Sequence, residues 1–123
     1  MKYPIFYEYS KVPAFLSKFA PIKIYAISFG WWVWCRGPAN TRIKNHEQIH
    51  YLQQRELGFV LQWVLYLAFW LVLFVYYCGD GARAYRCIAF EREAYDNDID
   101  PHYLDDRKPF AWIRHILDPS REP

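Results

Sequence analysis

The sequence predicts an α+β fold, in which short strands pack on several helices. Residues 22–35 are rich in Ile, Tyr, Phe, Val and Trp, the residue types that favour strands. Two later segments, about 41–57 and 59–78, have the length and the apolar pattern of helices. A chain of 123 residues can bury one modest core, so a single domain over residues 1–123 is the expected organisation.

The segment before the first long helix predicts the strands. Residues 1–21 form an N-terminal segment with three prolines and room for one short helix between the second and the third. Gly30 then interrupts the apolar stretch, which predicts two strands at about 22–29 and 31–36, or one bent strand with a bulge at the glycine. The aromatic run at 31–34 is typical of core and interface packing. Because it would lie on the strand next to the following helix, an edge-strand role in gripping an extended peptide is the alternative.

The helix at about 41–57 carries the most informative motif of the chain. Asn40 or Thr41 can cap its first turn, and residues 46–50 read H-E-x-x-H. Histidines four positions apart lie one turn apart on the same face, so both imidazoles can reach one metal ion. The stripe that contains them consists of His46, Ile49, His50, Gln53 and Leu57.

Glu47 lies at the edge of the histidine face, directly after His46. From there its carboxylate can take a proton from a water molecule at the metal. The motif therefore predicts a Zn²⁺ site with His46 and His50 as ligands and Glu47 as the catalytic general base. The alternative is a pair of histidines at helical spacing that binds no metal.

Residues 58–78 predict an apolar, membrane-associated helix. Gly58 weakens or bends the preceding helix, and the stretch 59–78 is apolar apart from Gln62. At about 1.5 Å per residue this stretch covers about 30 Å, the thickness of a bilayer core. Its apolar side chains lie all round the helix, so it is either buried or in contact with lipid. A chain this small has little other protein to surround it, which favours membrane lipid as a partner.

Two further helices are predicted towards the C-terminus. The helix-stopping residues at 79–81 are followed by a polar helix at about 82–97 and by a short helix near 110–117. Arg107 and Arg114 are candidates for stabilising an oxyanion, although no pattern in the sequence selects either of them.

A catalytic zinc site needs a third protein ligand beside the two histidines. In one class of site, a third histidine follows in the extended motif H-E-x-x-H-x-x-G-x-x-H. Gln53 and Glu56 occupy the positions of that glycine and that histidine, so this class is excluded. A carboxylate from the polar helix is then the expected ligand, and Glu91 and Glu93 are the candidates.

The H-E-x-x-H motif and the later E-x-x-A at residues 91–94 resemble the gluzincins, the thermolysin-like branch of zinc peptidases, which includes integral membrane proteins. The resemblance implies that Glu91 is the third zinc ligand, with Glu93 as the fallback. In gluzincins an Asp usually follows the alanine and holds a ligating histidine in place. Here that position is Tyr95, whose hydroxyl can make the same bond. Gln53 is a further candidate for a hydrogen bond that supports a ligand.

A group of small bacterial zincin-like proteins also looks similar over about residues 22–115. The similarity lies in four runs, at 45–50, 53–54, 84–86 and 90–95. It implies a zincin-like fold: a short β-hairpin or strands packed on the H-E-x-x-H helix, an apolar membrane-associated helix, and a third helix that carries Glu91. A straight membrane span would leave His50 and Glu91 on opposite sides of the bilayer. A shared zinc ion therefore requires the apolar helix to turn back as an embedded or interfacial hairpin.

These features lead to one expected function and two alternatives. The expected function is a zinc-dependent hydrolase, most simply a membrane-associated metallopeptidase that acts on a peptide or protein substrate. The first alternative is a non-catalytic zincin-like protein with a binding or structural role in the membrane. The second is an ordinary small membrane protein in which H-E-x-x-H is a coincidence.

Composition and charge exclude other functions and suggest a location. A net charge of +2 without a basic run argues against a nucleic-acid partner. Three cysteines without a C-x-x-C pair fit a reducing compartment, and the N-terminus does not read as a signal peptide. With the bacterial resemblance, we expect the protein at the inner membrane, with the site on or near the cytoplasmic side. A homo-oligomer is compatible with all of these features.

Overall fold

The computed structural model describes residues 4–19 and 24–116. The described residues form an α+β structure, so the predicted fold class is confirmed. Its strands are β1 (Ile5–Tyr7), β2 (Ala26–Phe29) and β3 (Trp32–Cys35). Its helices are α1 (Val12–Ser17), α2 (Thr41–Leu57), α3 (Val60–Tyr76), α4 (Gly81–Cys87), α5 (Ala89–Asn97) and α6 (Tyr103–Asp106), followed by a short 3-10 helix (Ala111–His115).

The three strands form one sheet in the order β1-β3-β2. Strands β2 and β3 are antiparallel, with Ile27 opposite Trp34, and they are joined at Gly30, whose φ is +59°. The prediction of two strands on either side of Gly30 is therefore confirmed. Residues 24–25, 31 and 36 do not belong to the strands as predicted, and residues 22–23 of the first predicted strand lie outside the described residues. The alternative edge role for the aromatic run at 31–34 is wrong, because β1 pairs in parallel with the other side of β3. Strand β2, not β3, is the edge strand beside α2.

Helix α2 has the predicted bounds because both of its ends are encoded locally. The side chain of Asn40 accepts a hydrogen bond from the backbone N–H of Ile43 at 2.9 Å and caps the first turn. Gly58 follows the last turn in the left-handed conformation, with φ +72°. Helix α3 then leaves at 109° to α2, which confirms the bend predicted at Gly58. The chain returns through α4 and α5, so α5 packs against α2.

Replacing Gly58 with alanine is expected to destabilise the protein by about 1 kcal/mol, because a Cβ disfavours the left-handed backbone. Space is not the reason, since a Cβ at this position would meet no heavy atom within 4 Å. Gly58→Asn is the matched control, because asparagine tolerates this conformation better, and it should lose less stability. Urea unfolding of the two variants checks this. Equal stability of Gly58→Ala and wild type would show that the left-handed cap contributes nothing.

The single polar helix predicted at 82–97 is wrong. Ile88 is extended, with φ −59° and ψ 135°, and divides the segment into α4 and α5. The physical reason is burial, because every residue of 87–94 is buried. One continuous amphipathic helix would leave one face of this run in solvent. The break lets Ile88 and Phe90 enter the same core cluster with Trp112.

Helix α3 covers most of the predicted apolar segment. One side of it packs on the core cluster through Tyr66, Phe69, Trp70 and Leu73. Gln62 is its one fully buried residue. In the described part of the chain, no single helix is long and apolar enough to cross a membrane. Helices α2 and α3 together are long and apolar enough, but the angle between them is 109°.

The short helix predicted near 110–117 is present as the 3-10 helix Ala111–His115. Residue 116 follows the helix, and residue 117, the last of the prediction, lies outside the described residues. The 3-10 helix packs on α5 and places Trp112 against Phe90, with ring centroids 4.8 Å apart. It thereby adds Trp112 to the core cluster of Ile88, Ala89 and Phe90.

Candidate metal centre

His46 and His50 on α2 and Glu91 on α5 converge on one point. The Nε2 atoms of the two histidines are 3.2 Å apart. Glu91 Oε1 lies 3.2 Å from His46 Nε2 and 3.0 Å from His50 Nε2. Glu91 belongs to the first turn of α5, where the helix dipole favours a carboxylate. The structure thus brings together the three residues that the sequence suggested as ligands.

The spacing of these three atoms fits a zinc ion. Zinc binds histidine nitrogen and carboxylate oxygen at about 2.0–2.2 Å, so two ligand atoms of a tetrahedral site lie about 3.3 Å apart. The observed separations of 3.0–3.2 Å are close to that value. Two imidazoles and one carboxylate are also a common ligand set of catalytic zinc, which leaves the fourth position open.

His46 is oriented by a residue that the sequence did not single out. Its Nδ1 atom lies 2.9 Å from Asp98 Oδ2, and Arg42 donates to the other oxygen of that carboxylate at 3.0 Å. With Asp98 accepting from Nδ1–H, the lone pair of Nε2 faces Glu91. Asp98, which lies three residues after Tyr95, therefore holds His46 in place, the role that was expected of Tyr95.

Tyr95 does not make the predicted hydrogen bond. Its ring packs edge-on against His46, with centroids 4.6 Å apart, while its hydroxyl lies 3.5 Å from the hydroxyl of Tyr85. Tyr95 thus contacts the candidate ligand through its ring alone. A search for an acidic residue one turn beyond Tyr95 would have identified Asp98.

His50 is oriented by Gln53, as the sequence suggested. Gln53 Oε1 accepts from His50 Nδ1 at 2.8 Å. The amide nitrogen of Gln53 donates to Phe90 O and to Glu93 Oε1, each at 3.0 Å, which fixes the orientation of the amide. The Nε2 lone pair of His50 therefore also points to the space that the three atoms share.

Glu91 is oriented by Tyr66, which the sequence analysis missed. The Tyr66 hydroxyl donates to Glu91 Oε2 at 2.7 Å and leaves Oε1 towards the histidines. A tyrosine within an apolar helix gives no signal of this role. Glu93, the fallback ligand, is not brought to the histidines: its carboxylate accepts from Arg107 and from the Tyr103 hydroxyl on the other side of α5.

The three groups stabilise one another's charged forms. Burial alone would lower the pKa of His46, but hydrogen bonds to Asp98 and Glu91 outweigh burial and raise the pKa to about 10. Burial alone would raise the pKa of Glu91, but the facing histidines His50 and His46 hold it well below its usual range. Protons and a metal ion therefore compete for the same atoms.

Zinc binding is expected to release protons and to tighten as the pH rises. Between pH 6.5 and about 10, His46 holds a proton that zinc must displace, so the apparent affinity should rise roughly tenfold per pH unit for each proton lost. The folding stability of the zinc-free protein should change with pH in the opposite direction. The raised pKa of His46 contributes stability that is complete below pH 6.5 and is lost as the pH rises through about 10. Competition with a chelator across this range measures the affinity. An affinity that does not change with pH would contradict the expectation.

Asp98→Asn is expected to weaken zinc binding by roughly 10- to 100-fold, because the amide no longer stabilises the ligating form of His46. The measurement is a zinc titration against a competing chelator. Asp96→Asn is the matched control, since Asp96 is an exposed aspartate two residues before Asp98, and it should leave the affinity unchanged. Similar affinities for Asp98→Asn and wild type would remove Asp98 from the site.

Glu47 faces the space between His46, His50 and Glu91, the three candidate ligands that form the triad, without being one of them. Its side chain is buried, and no hydrogen-bond partner for its carboxylate is found among residues 4–19 and 24–116. Burial raises the pKa of Glu47 above its usual range, against the opposing effect of His50 and His46. A buried, unpaired carboxylate with a raised pKa is suited to accept and return a proton.

Two cavities meet at Glu47. The first, of about 520 Å³, lies between β2 and α3 and is lined by His50 and Glu91 among others. The second, of about 560 Å³, lies on the side of His46 and is lined by Arg42 among others. Both are lined by Glu47 and by Ala26 of β2. Together their linings include all three candidate ligands, with His50 and Glu91 at the first cavity and His46 at the second.

The fold and the site define an α+β protein with a buried cluster of two histidines and one glutamate that can hold a metal ion. Comparisons with protein-family models, with curated proteins and with solved structures find no match.

Proposed function

We propose that the protein is a zinc-dependent hydrolase, most simply a gluzincin-type peptidase with a zincin-like fold. One observation carries the proposal: each candidate ligand is held from behind by a polar partner, so that all three donor atoms face one point. The pairs are His46 with Asp98, His50 with Gln53 and Glu91 with Tyr66. Such outer partners are typical of metal sites, where they orient the ligands and tune their basicity.

The residues of the site have distinct roles in this proposal. His46, His50 and Glu91 hold the ion, which when bound would polarise a peptide carbonyl and acidify a water molecule. Glu47 takes the proton of the attacking water and returns it to the leaving amine. Its raised pKa supports the role, because a base poised closer to neutral pH can both accept and release a proton.

The open edge of β2 is suited to align an extended peptide. Arg36 donates its backbone N–H to Tyr25 O at 2.7 Å. Bonded and non-bonded pairs alternate in antiparallel strands, so the backbone groups of Ala26 point away from β3. Ala26 also lines both cavities. A substrate strand added at this edge would therefore pass next to Glu47.

The proposal is tested with the zinc-loaded protein and a broad mixture of peptides, with the products identified by mass spectrometry. We expect cleavage that stops when a chelator removes zinc and returns when zinc is restored. His50→Ala should not regain activity. If the protein binds zinc through the triad but cleaves nothing, it is a non-catalytic zincin-like binding or structural protein.

We further propose that the protein works at a membrane, with α3 as its contact surface. The outer face of α3 is apolar and exposed along its whole length. Its exposed apolar residues are Val60, Leu61, Val64, Leu67, Leu71, Val72, Val75 and Tyr76. No charged residue occurs between Glu56 and Asp80. Aromatic residues lie at both ends of α3, with Trp31 against Phe59 at one end and Tyr76 against Tyr77 at the other.

Lipid is the occupant that this surface fits best, because aromatic residues at both ends of an apolar stretch are typical of membrane interfaces. The described cysteines are free thiols, which suits a site on the cytoplasmic side of a bacterial inner membrane. The alternative occupant of this face is a second copy of the chain.

Co-sedimentation with vesicles of phosphatidylcholine and phosphatidylglycerol tests the membrane proposal. Wild type should bind, and the double variant Val64→Glu, Leu71→Glu should not. Ile99→Glu is the control, since Ile99 is an apolar residue outside α3 that is even more exposed than Val64 and Leu71. If wild type ignores vesicles and the double variant instead dissociates a dimer, the surface is an interface between copies and the lipid proposal fails.

A further inference from the structure

Gln54 holds the end of β2 against α2, the helix that carries His46 and His50. Its Oε1 atom accepts from the backbone N–H of Gly30 at 2.7 Å, and its Nε2 atom donates to Ser28 Oγ at 2.9 Å. Gln54 is 0% exposed and Ser28 is 5% exposed, so both hydrogen bonds lie in the interior. A buried amide is costly unless its donor and its acceptor are both paired, and here both are paired with one short stretch of the sheet.

These hydrogen bonds are the polar link between α2 and the sheet. Among residues 4–19 and 24–116, no other residue of α2 is hydrogen-bonded to β2, to β3 or to the turn between them. The hydrophobic effect is not directional, whereas a hydrogen bond fixes a distance and an angle. If Gln54 served only to fill the interior, a leucine would fill a similar volume without polar atoms that need partners. Its amide therefore fixes where β2 lies relative to α2.

Gln54 shares its helix face with two of the candidate ligands. His46, His50 and Gln54 follow one another at intervals of four residues, so their side chains lie along one side of α2. The two histidines face the metal position, and Gln54 holds the strand that contains Ala26. Because Ala26 lines both cavities together with Glu47, a shift of β2 would move its open edge relative to the metal position and to the proposed general base.

We propose that Gln54 is a positioning residue for substrate binding, which acts by holding the open edge of β2 at a fixed distance from the metal position. Its loss should weaken the binding of an extended peptide, because the backbone groups of Ala26 would no longer lie where the peptide strand needs them. The affinity for zinc should not change, since His50 is oriented by Gln53 and not by Gln54. The inference rests on the proposed function, in which the edge of β2 aligns the substrate.

The position of β2 is measured first, without a substrate. In protein loaded with cobalt(II) in place of zinc, the metal-dependent NMR shift of each backbone amide reports its distance and direction from the ion. In Gln54→Leu we expect these shifts to change at Ala26 and Ser28 and to stay the same at Ala94 of α5. Gln48→Leu is the matched control, because Gln48 lies on α2 and its side chain makes no hydrogen bond among the described residues. It should change none of these shifts.

Peptide affinity is the second readout, measured calorimetrically with zinc-loaded protein that carries Glu47→Gln. The probe is the best-cleaved peptide of the mixture used above or, if none is cleaved, the peptide of that mixture that this protein retains most strongly. We expect Gln54→Leu to weaken its binding at least about tenfold, the effect of losing one well-formed hydrogen bond, and to change the zinc affinity by less than about twofold. An N-methylated copy of the peptide cannot pair as a strand, so it should bind both proteins equally weakly.

Ser28→Ala removes one of the two contacts and tests the inference independently if Gln54→Leu fails to fold. Its effects should be smaller and of the same sign. Four results would each overturn the inference. They are unchanged shifts at β2 in the folded variant, an unchanged peptide affinity, a parallel loss of affinity for zinc or for the N-methylated peptide, and retention of no peptide at all.

The hydrolase proposal and this inference fail separately. Peptide binding that depends on Gln54, together with no cleavage by wild type, would end the hydrolase proposal and leave the role of Gln54 standing. Cleavage with the same KM in Gln54→Leu as in wild type would do the reverse.

Discussion

Glu47→Gln is expected to slow peptide hydrolysis by at least about 100-fold while leaving the affinity for zinc unchanged. Glutamine has the same shape as glutamate but cannot accept the proton of the attacking water. Zinc should stay bound because the Glu47 carboxylate lies outside the cluster of His46, His50 and Glu91. Hydrolysis rate and zinc affinity are measured on the same preparation.

The control for this variant is Asp105→Asn, which removes a carboxylate from an exposed side chain far along the sequence. It should change neither the rate nor the affinity. If Glu47→Gln keeps the wild-type rate, the general base is another group. If it loses zinc, Glu47 is a ligand and the proposed division of roles is wrong.

Arg107→Ala is expected to lower the free energy of unfolding by about 3–5 kcal/mol, the range for breaking a buried ion pair on one side. The Arg107 side chain is 3% exposed and the Glu93 side chain is fully buried. Arg107 donates to Glu56 at 2.8 and 3.0 Å and to Glu93 Oε1 at 3.0 Å. Alanine would leave both carboxylates without their cation. Urea unfolding measures the loss, and Arg55→Ala, an exposed arginine of α2, should cost less than about 0.5 kcal/mol.

The same network predicts a pH dependence. Burial opposes ionisation of Glu93, but Arg107 outweighs it and lowers the pKa of Glu93. A lowered pKa contributes stability that is present above the usual pKa and is lost as the pH falls through the lowered one. Wild type should therefore lose this contribution on acidification, and Arg107→Ala, which lacks it, should be less sensitive to acid. Equal acid sensitivity of the two proteins would show that Arg107 does not stabilise the Glu93 carboxylate.

The sequence predicted those features that are encoded locally. The bounds of α2 follow from Asn40 and Gly58, and the pairing of His46 with His50 follows from helical spacing. For the third member, the choice of Glu91 over Glu93 came only from the resemblance to gluzincins. The structure places it within 3.2 Å of both histidines.

The features that were missed depend on tertiary structure. Asp98 lies 52 residues from His46, and Tyr66 lies 25 residues from Glu91. Neither contact leaves a local pattern in the chain. The break at Ile88 was missed because the segment has helical propensity throughout, and burial on all sides overrides it. Arg107, considered only as an oxyanion group, instead balances two carboxylates inside the fold.

The position of a bound zinc ion tests the central claim most directly. Crystals of the zinc-loaded protein are measured on both sides of the zinc absorption edge, and the anomalous difference map locates the ion. The proposed site predicts one strong peak at about 2 Å from His46 Nε2, His50 Nε2 and Glu91 Oε1. No peak between these three atoms, or zinc bound only elsewhere on the protein, would contradict it.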